Sequence, residues 1–138
     1  MVEAILRLAA DEIRIIGHSI NWRLNGPYEH TSPSESSAED MQTLRIMFNE
    51  LCCQQRACQF GEPSIIIEVG LPYSCTDGRM QLPPTYFRLI MDALALFLGE
   101  FRHYPADLEL LTALPLASTS ELFSRMQATF ALSASPNP

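Results

Sequence analysis

The chain has 138 residues, of which 47% are apolar and 18% charged, and its formal net charge is −7. This length and apolar content fit one folded domain with its own hydrophobic core and exclude a disordered chain. The acidic balance, with no cluster of basic residues, argues against binding to nucleic acid or to an anionic membrane surface.

The first predicted element is a helix over residues 2–24. At about 100° per residue, seven apolar side chains fall on one face of this helix: Val2, Ile5, Leu6, Ala9, Ile13, Ile16 and Ile20. A second apolar row, Leu8, Ile15 and Trp22, repeats every seven residues beside the polar face. This second row predicts one of two things: a helix buried on two sides within its own fold, or a surface that binds another protein.

Residues 25–37 have the composition of a loop, and a second helix is predicted over residues 37–60. Ser36 and Glu39 have the spacing of a capping box at its start, and Gly61 is suited to end it. This helix also carries a second apolar row, for which internal burial is the favoured interpretation. Its members are Ile46, Cys53 and Phe60.

The middle of the chain predicts a short β-hairpin over residues 64–82. A β-branched run begins at Ser64, and the Asp77-Gly78 pair is typical of a tight turn. Pro83 and Pro84 then open a third predicted helix over residues 84–102, which is apolar around most of its circumference.

Residues 105–116 are ambiguous between a strand and a helical turn, and Pro115 ends that segment. The Ser118–Glu121 spacing predicts a last helix over residues 119–132. The predicted fold is therefore α+β, with about four helices and one hairpin, and an all-α bundle is the alternative. We expect a single compact domain over residues 1–132 and a flexible tail over residues 133–138.

No pattern in the sequence indicates a catalytic, cofactor or metal site. The chain contains neither a Gly-x-Ser-x-Gly nucleophile motif nor a Gly-rich phosphate-binding loop. On a helix Cys52, Cys53 and Cys58 point in different directions, so they cannot bind one ion together. We interpret the cysteines as small apolar residues, and Cys53, on the second apolar row, would be the most reactive thiol if it is exposed.

All nine basic residues are arginine, and the chain contains no lysine. It therefore offers no ε-amine for Schiff-base chemistry, acetylation or ubiquitin attachment. Codon bias is the simpler explanation, and avoidance of ubiquitin inside a eukaryotic cell is the functional one.

The two apolar rows are the strongest functional signal, and they predict partner binding through Leu8, Ile15, Trp22, Ile46, Cys53 and Phe60. We expect a non-enzymatic adaptor, chaperone or regulator that docks an apolar helical face on another protein or on a second copy, as in a homodimer. One alternative is a viral, phage or effector protein that binds a host factor. Another is a small thiol-dependent enzyme that pairs Cys53 or Cys58 with a histidine.

The expected location is cytoplasmic, which for an effector means inside a host cell. No secretory signal pattern and no apolar run of membrane-spanning length are visible in the sequence.

Overall fold

The computed structural model describes residues 4–25, 38–57, 64–76 and 78–134. These ranges contain a four-stranded sheet and five helices, so the α+β prediction is confirmed and the all-α alternative is wrong. None of these helices is both long enough and apolar enough to cross a membrane. The strands are β1 (Ala4–Ala9), β2 (Ser64–Val69), β3 (Ser74–Thr76) and β4 (Arg79–Leu82). The helices are α1 (Ala10–Asn25), α2 (Ala38–Ala57), α3 (Pro84–Phe101), α4 (Pro105–Thr112) and α5 (Leu116–Ala134).

The predicted helix over residues 2–24 is wrong in its first part, where the chain forms strand β1. Burial alternates along this strand, with Ala4, Leu6 and Leu8 inside and the residues between them exposed. β1 pairs antiparallel with β2, with Ala4 opposite Val69 and Ala9 opposite Ser64. The strand that stabilises β1 therefore lies far away from it in the sequence. Tertiary pairing therefore overrides the helical preference of an Ala- and Leu-rich segment.

The prediction of one hairpin over residues 64–82 is also wrong in its pairing. Both predicted strands form, as β2 and β4, but they are parallel neighbours, and within residues 64–82 the antiparallel pair is β3 with β4. The chain turns at Gly70, whose φ is 110°, passes along β3 at the edge and returns as β4 between β2 and β3. The resulting strand order is β1-β2-β4-β3.

The sheet has one buried face and one face without a helix layer among the described residues. The buried face carries alternate residues of β1, β2 and β4, and α1, α3 and α5 contact these strands. The opposite face is mostly polar, and on it Arg79 Nε lies 3.2 Å from Glu68 Oε1. This alternation is the pattern expected for a sheet that is packed on one side only.

A network around Glu12 and Arg125 covers part of the free edge of β1. The Ala9 amide donates to Glu12 Oε1 (2.9 Å), which is the half of a capping box that fixes the start of α1. Arg125 of α5 pairs with Glu12 Oε2 and donates to the Arg7 carbonyl (2.7 Å). Two backbone groups of the edge are thereby bonded, which leaves less of it available for pairing with another chain.

Two of the predicted helices agree with the structure, and the C-terminal third of the chain contains one more helix than predicted. Helices α2 and α3 match the predictions over 37–60 and 84–102 within the described residues. Residues 105–112 are helix α4, which Ala113 ends in a left-handed conformation with φ 62°. The last helix begins at Leu116, directly after Pro115, and it continues through Ser133 and Ala134, which the tail prediction had included.

Gln54 joins α2 to the turn between β3 and β4. Its side chain is 4% exposed, and its amide nitrogen donates to the Thr76 carbonyl at 2.8 Å. Its amide oxygen accepts from the Gly78 amide, also at 2.8 Å. This buried amide is therefore bonded at both ends, and it fixes the end of the sheet against α2.

We predict that Arg125→Met lowers the free energy of unfolding by about 1–3 kcal/mol, because Glu12 and the Arg7 carbonyl lose a charged hydrogen-bond donor. Urea denaturation measures this change. Arg45→Met, at an exposed position of α2, is the control and is expected to change stability by less than about 0.5 kcal/mol. Equal effects of the two substitutions would show that the Glu12–Arg125 network contributes no net stability.

Two buried threonines give a second prediction, in which the same substitution by valine changes the free energy of unfolding in opposite directions. Thr119 Oγ1 is buried and has no hydrogen-bond partner in the described part of the chain, so Thr119→Val is expected to stabilise by about 1 kcal/mol. The Thr112 hydroxyl donates to the Leu108 carbonyl (2.9 Å) and accepts from the Leu114 amide (3.2 Å). Thr112→Val is therefore expected to destabilise by about 1–3 kcal/mol. Urea denaturation measures both, and a loss of stability on Thr119→Val would contradict the argument.

Candidate functional site

The first predicted binding row lies largely in the core. Leu8 and Ile15 are fully buried, so neither can contact a partner on the surface of the folded chain. Trp22 is half-buried, and its ring meets the edges of Phe97 and Phe101 at centroid distances of 6.3 and 5.0 Å. Leu8 belongs to strand β1, so the three residues do not form a row on one helix, and only Ile15 and Trp22 lie on α1.

The second row is more exposed than expected. Ile46 is 47% exposed and Cys53 is also exposed, so internal burial is wrong for both, whereas Phe60 lies outside the described residues. The two side chains stand two helical turns apart on the outer side of α2. Single exposed apolar residues are common on soluble proteins, and this pair alone does not form a continuous patch.

The thiols and histidines do not form a catalytic arrangement within the described residues. Cys52 and His18 line one groove, yet no hydrogen bond joins their side chains, and His103 is exposed elsewhere. Burial is the main cause that raises the pKa of the Cys75 thiol, which disfavours the reactive thiolate. No three His, Cys, Asp or Glu side chains in these ranges are grouped so that they could hold a metal ion. Cys58 and His30 lie outside the described residues.

A surface depression that contains three large apolar side chains lies between α3 and α5, and we call it the α3–α5 groove. Its volume is about 300 Å³. Half-buried Leu98, Leu116 and Phe123 supply its large apolar side chains. Small residues flank them, Ala95 on α3 and Ser120 and Ser124 on α5, and Arg102 closes one end. The low side chains on both walls leave room for another helix to approach closely.

Helix α4 follows Arg102 along the chain and carries further exposed apolar side chains. It connects α3 to α5 and buries only Leu108 and Thr112. On its other sides Leu110 is 84% exposed and Leu111 39% exposed, and Tyr104, which precedes the helix, is 61% exposed. Three large exposed side chains so close in sequence are the densest such group in the described part of the chain, and clusters of this kind mark contact surfaces.

A second, smaller groove of about 250 Å³ lies between α1 and α2. We call it the α1–α2 groove. Phe48 and Cys52 line it from α2, opposite Gly17 and His18 of α1. A side chain at Gly17 would meet nothing within 4 Å, so packing does not require glycine there. This groove has only one large apolar side chain and is therefore the weaker candidate for protein docking.

A larger depression, of about 520 Å³, is a charged cleft between α2 and α3. Arg23, Arg88 and Asp92 line it together with two further carboxylates. Partial burial raises the pKa of Asp92, and Arg88 and Arg23 act in the opposite direction. Both signs of charge are present, so the cleft is suited to a polar ligand and not to an apolar helix.

Sequence reasoning missed the α3–α5 groove because its two walls come from helices that are separate in the chain. Ala95 and Leu98 fall in the apolar helix predicted over residues 84–102, and Phe123 falls in the helix predicted over residues 119–132. Local periodicity gives each helix its apolar side, but it does not show how deeply a neighbouring helix covers that side. The only available signal was the very wide apolar arc of α3, which exceeds what one core contact requires.

His18, which lines the α1–α2 groove, leads to a prediction of how the free energy of unfolding depends on pH. Burial, and then the nearby Arg14 guanidinium, lower the pKa of His18 below its ordinary 6.5. The unfolded chain therefore binds this proton more readily, and the free energy of unfolding falls as the pH drops below about 6.5. His18→Gln is expected to remove this part of the pH dependence in urea denaturation between pH 7 and 5. His103→Gln, at an exposed position, is the control. Identical slopes for wild type and His18→Gln would contradict the prediction.

Comparison with known proteins finds no family model that matches the chain, and no curated protein or solved structure that is significantly similar to it.

Proposed function

We propose that the chain is a non-enzymatic protein-binding module, and that its docking site is the α3–α5 groove together with the exposed surface of α4. The observation that carries the proposal is the apolar groove itself, formed by Leu98, Leu116 and Phe123 at the surface. Exposure of apolar surface to water is unfavourable, and a partner that buries this surface gains binding free energy from the hydrophobic effect.

The shape of the groove supports a helix as the docked element. Its walls are two helices, and the side chains at their exposed edges are small, namely Ala95, Ser120 and Ser124. A third helix can then place its own apolar residues between them, as ridges fit into grooves in helix packing. The three half-buried side chains form the centre of the contact, and the serines form a polar rim.

The exposed residues of α4 extend the contact beyond the groove. The α3–α5 groove alone is small beside the roughly 800 Å² that each partner buries in a standard interface. Leu110 and Leu111 add large apolar side chains next to it along the chain. A docked protein that covers both the groove and α4 would bury more apolar surface than one that covers the groove alone.

Filling the groove tests the proposal. Ala95 is exposed on the α3 wall, so Ala95→Trp is expected to fill the groove without disturbing the core. Ala117→Trp makes the same substitution at an exposed position of α5 outside the groove and is the matched control. Proteins captured from cells by the wild-type chain would be identified and purified, and their affinity measured by calorimetry. We expect a genuine partner to bind Ala95→Trp at least about tenfold more weakly and Ala117→Trp unchanged, with no loss of helical circular dichroism.

The alternative docking positions give different results in the same experiment. Gly17→Leu fills the α1–α2 groove, where the structure has open space. A partner lost on Gly17→Leu and retained on Ala95→Trp would move the docking site to the α1–α2 groove and contradict the proposal. Light scattering of the purified chain shows whether the partner is a second copy, because Ala95→Trp would then convert a dimer to a monomer.

A further inference from the structure

The α3–α5 groove and helix α4 are neighbours, because two residues that line the groove flank α4 in the chain. Arg102 lies three residues before the start of α4, and Leu116 lies four residues after its end. Four residues of extended chain span at most about 14 Å, so both ends of α4 lie close to the groove. Leu108 and Thr112 are buried, which holds α4 in place, and α4 does not fill the groove of its own chain.

The outer side of α4 is apolar and carries one negative charge. Four residues line a surface depression there, and their spacing of three, four and seven residues places them on one side of the helix: Ala106, Glu109, Leu110 and Ala113. Leu110 is the most exposed large apolar side chain in the described part of the chain. The small alanines on either side of it let the backbone of α4 approach another helix closely.

The groove has the complementary features. Its large apolar side chains are Leu98, Leu116 and Phe123, and Arg102 is the one charged residue among the described residues that line it. Within the described residues, no ion pair joins Arg102 or Glu109 to another side chain. Each of these two charges is therefore available to a charge of opposite sign on another molecule.

We propose that the groove binds α4 of a second copy of this chain, with Leu110 between the groove walls and Glu109 paired with Arg102. This inference rests on the proposed docking function and specifies the partner. Because the groove and α4 are neighbours, a two-fold dimer forms the contact twice, and each copy contributes its α4 to the other. One association thereby covers both exposed apolar surfaces of both copies.

The charges of the chain favour this orientation over a less specific self-association. The net charge of −7 makes two copies repel each other at most relative orientations. The orientation that places Glu109 of one copy beside Arg102 of the other replaces part of that repulsion by attraction. A guanidinium group also binds a carboxylate through two parallel hydrogen bonds, which fixes the direction of approach.

The solution mass of the full chain tests the inference. We expect light scattering to show a dimer as the protein concentration rises to about 0.5 mM. Leu110→Glu is expected to leave a monomer, because a carboxylate is costly to bury in an apolar groove. Leu132→Glu makes the same substitution at another exposed leucine, near the end of α5, and is the matched control that stays dimeric. Circular dichroism verifies that both variants keep their helices.

Mixing two variants tests which surfaces meet. Leu110→Glu keeps an open groove and Ala95→Trp keeps an intact α4, so a mixed pair can form one of the two contacts. We expect each variant alone to be monomeric and the mixture to form a dimer, although a weaker one than the wild type. If groove met groove or α4 met α4, every mixed pair would contain one blocked surface. A mixture that stays monomeric would therefore overturn the inference.

Exchange of the two charges tests the ion pair. Arg102→Glu and Glu109→Arg are each expected to weaken the dimer roughly fivefold to tenfold, and more at low salt. The double variant should regain the dissociation constant of the wild type, because the same pair then forms with its charges exchanged. A purely structural role of either residue would not produce that recovery.

The possible outcomes separate this inference from the docking function. A wild-type chain that stays monomeric over the whole concentration range would overturn the inference and leave docking to another protein in place. A dimer that resists both Leu110→Glu and Ala95→Trp would move self-association to another surface and overturn it as well. Masses that rise beyond a dimer would contradict the two-fold arrangement. The docking function itself fails on a different result, namely captured partners that bind Ala95→Trp and the wild type equally well.

Discussion

The burial of α1 on two sides is the constraint on which the rest of the structure depends. Its Ile13, Ile16 and Ile20 lie in the core, and Ile15 and Trp22 use a second side of the same helix. Because α1 contacts the sheet and all four other helices, it uses nearly all of its own apolar surface internally. The remaining helices pack around it, and α3 and α5 meet at the outside, where no further layer covers them within the described residues. The α3–α5 groove is a consequence of that arrangement.

The strand edge and the open sheet face differ from the helical surface in how readily another protein chain could associate with them. Strand edges are the usual sites of unwanted pairing, and the edge of β1 is partly bonded to Glu12 and Arg125. The sheet face that no described helix covers carries mostly polar side chains, with Arg79 beside Glu68. Exposed Leu110 and Leu111, by contrast, have no such protection. A chain that protects its strand edge and leaves a helical surface apolar is suited to helix-mediated contacts.

The elements that could be predicted from sequence are those that local periodicity determines. The apolar arc of α3 and the β-branched run of β2 extend over enough residues to exclude other structures. The six residues of β1 do not, because a short apolar alternation becomes a strand only when β2 pairs with it, and that partner begins at Ser64. The candidate site was harder to predict than the helices and strands. Trp22 and Ile46 were both placed on second apolar rows, and only the packing of neighbouring helices makes one half-buried and the other exposed.

Exposed apolar residues lower the stability of the folded chain, and interactions in the interior must offset this loss. Folded domains are stable by only about 5–15 kcal/mol, so a surface groove persists where the core has stability to spare. Here α1 joins the sheet and the helices in one core that extends from Ala4 to Met126. That core holds the inner sides of α3 and α5 through Phe87, Phe97 and Leu122, which are fully buried. The walls of the groove are therefore fixed from the inside, and a docking helix would meet a surface that needs little rearrangement to receive it.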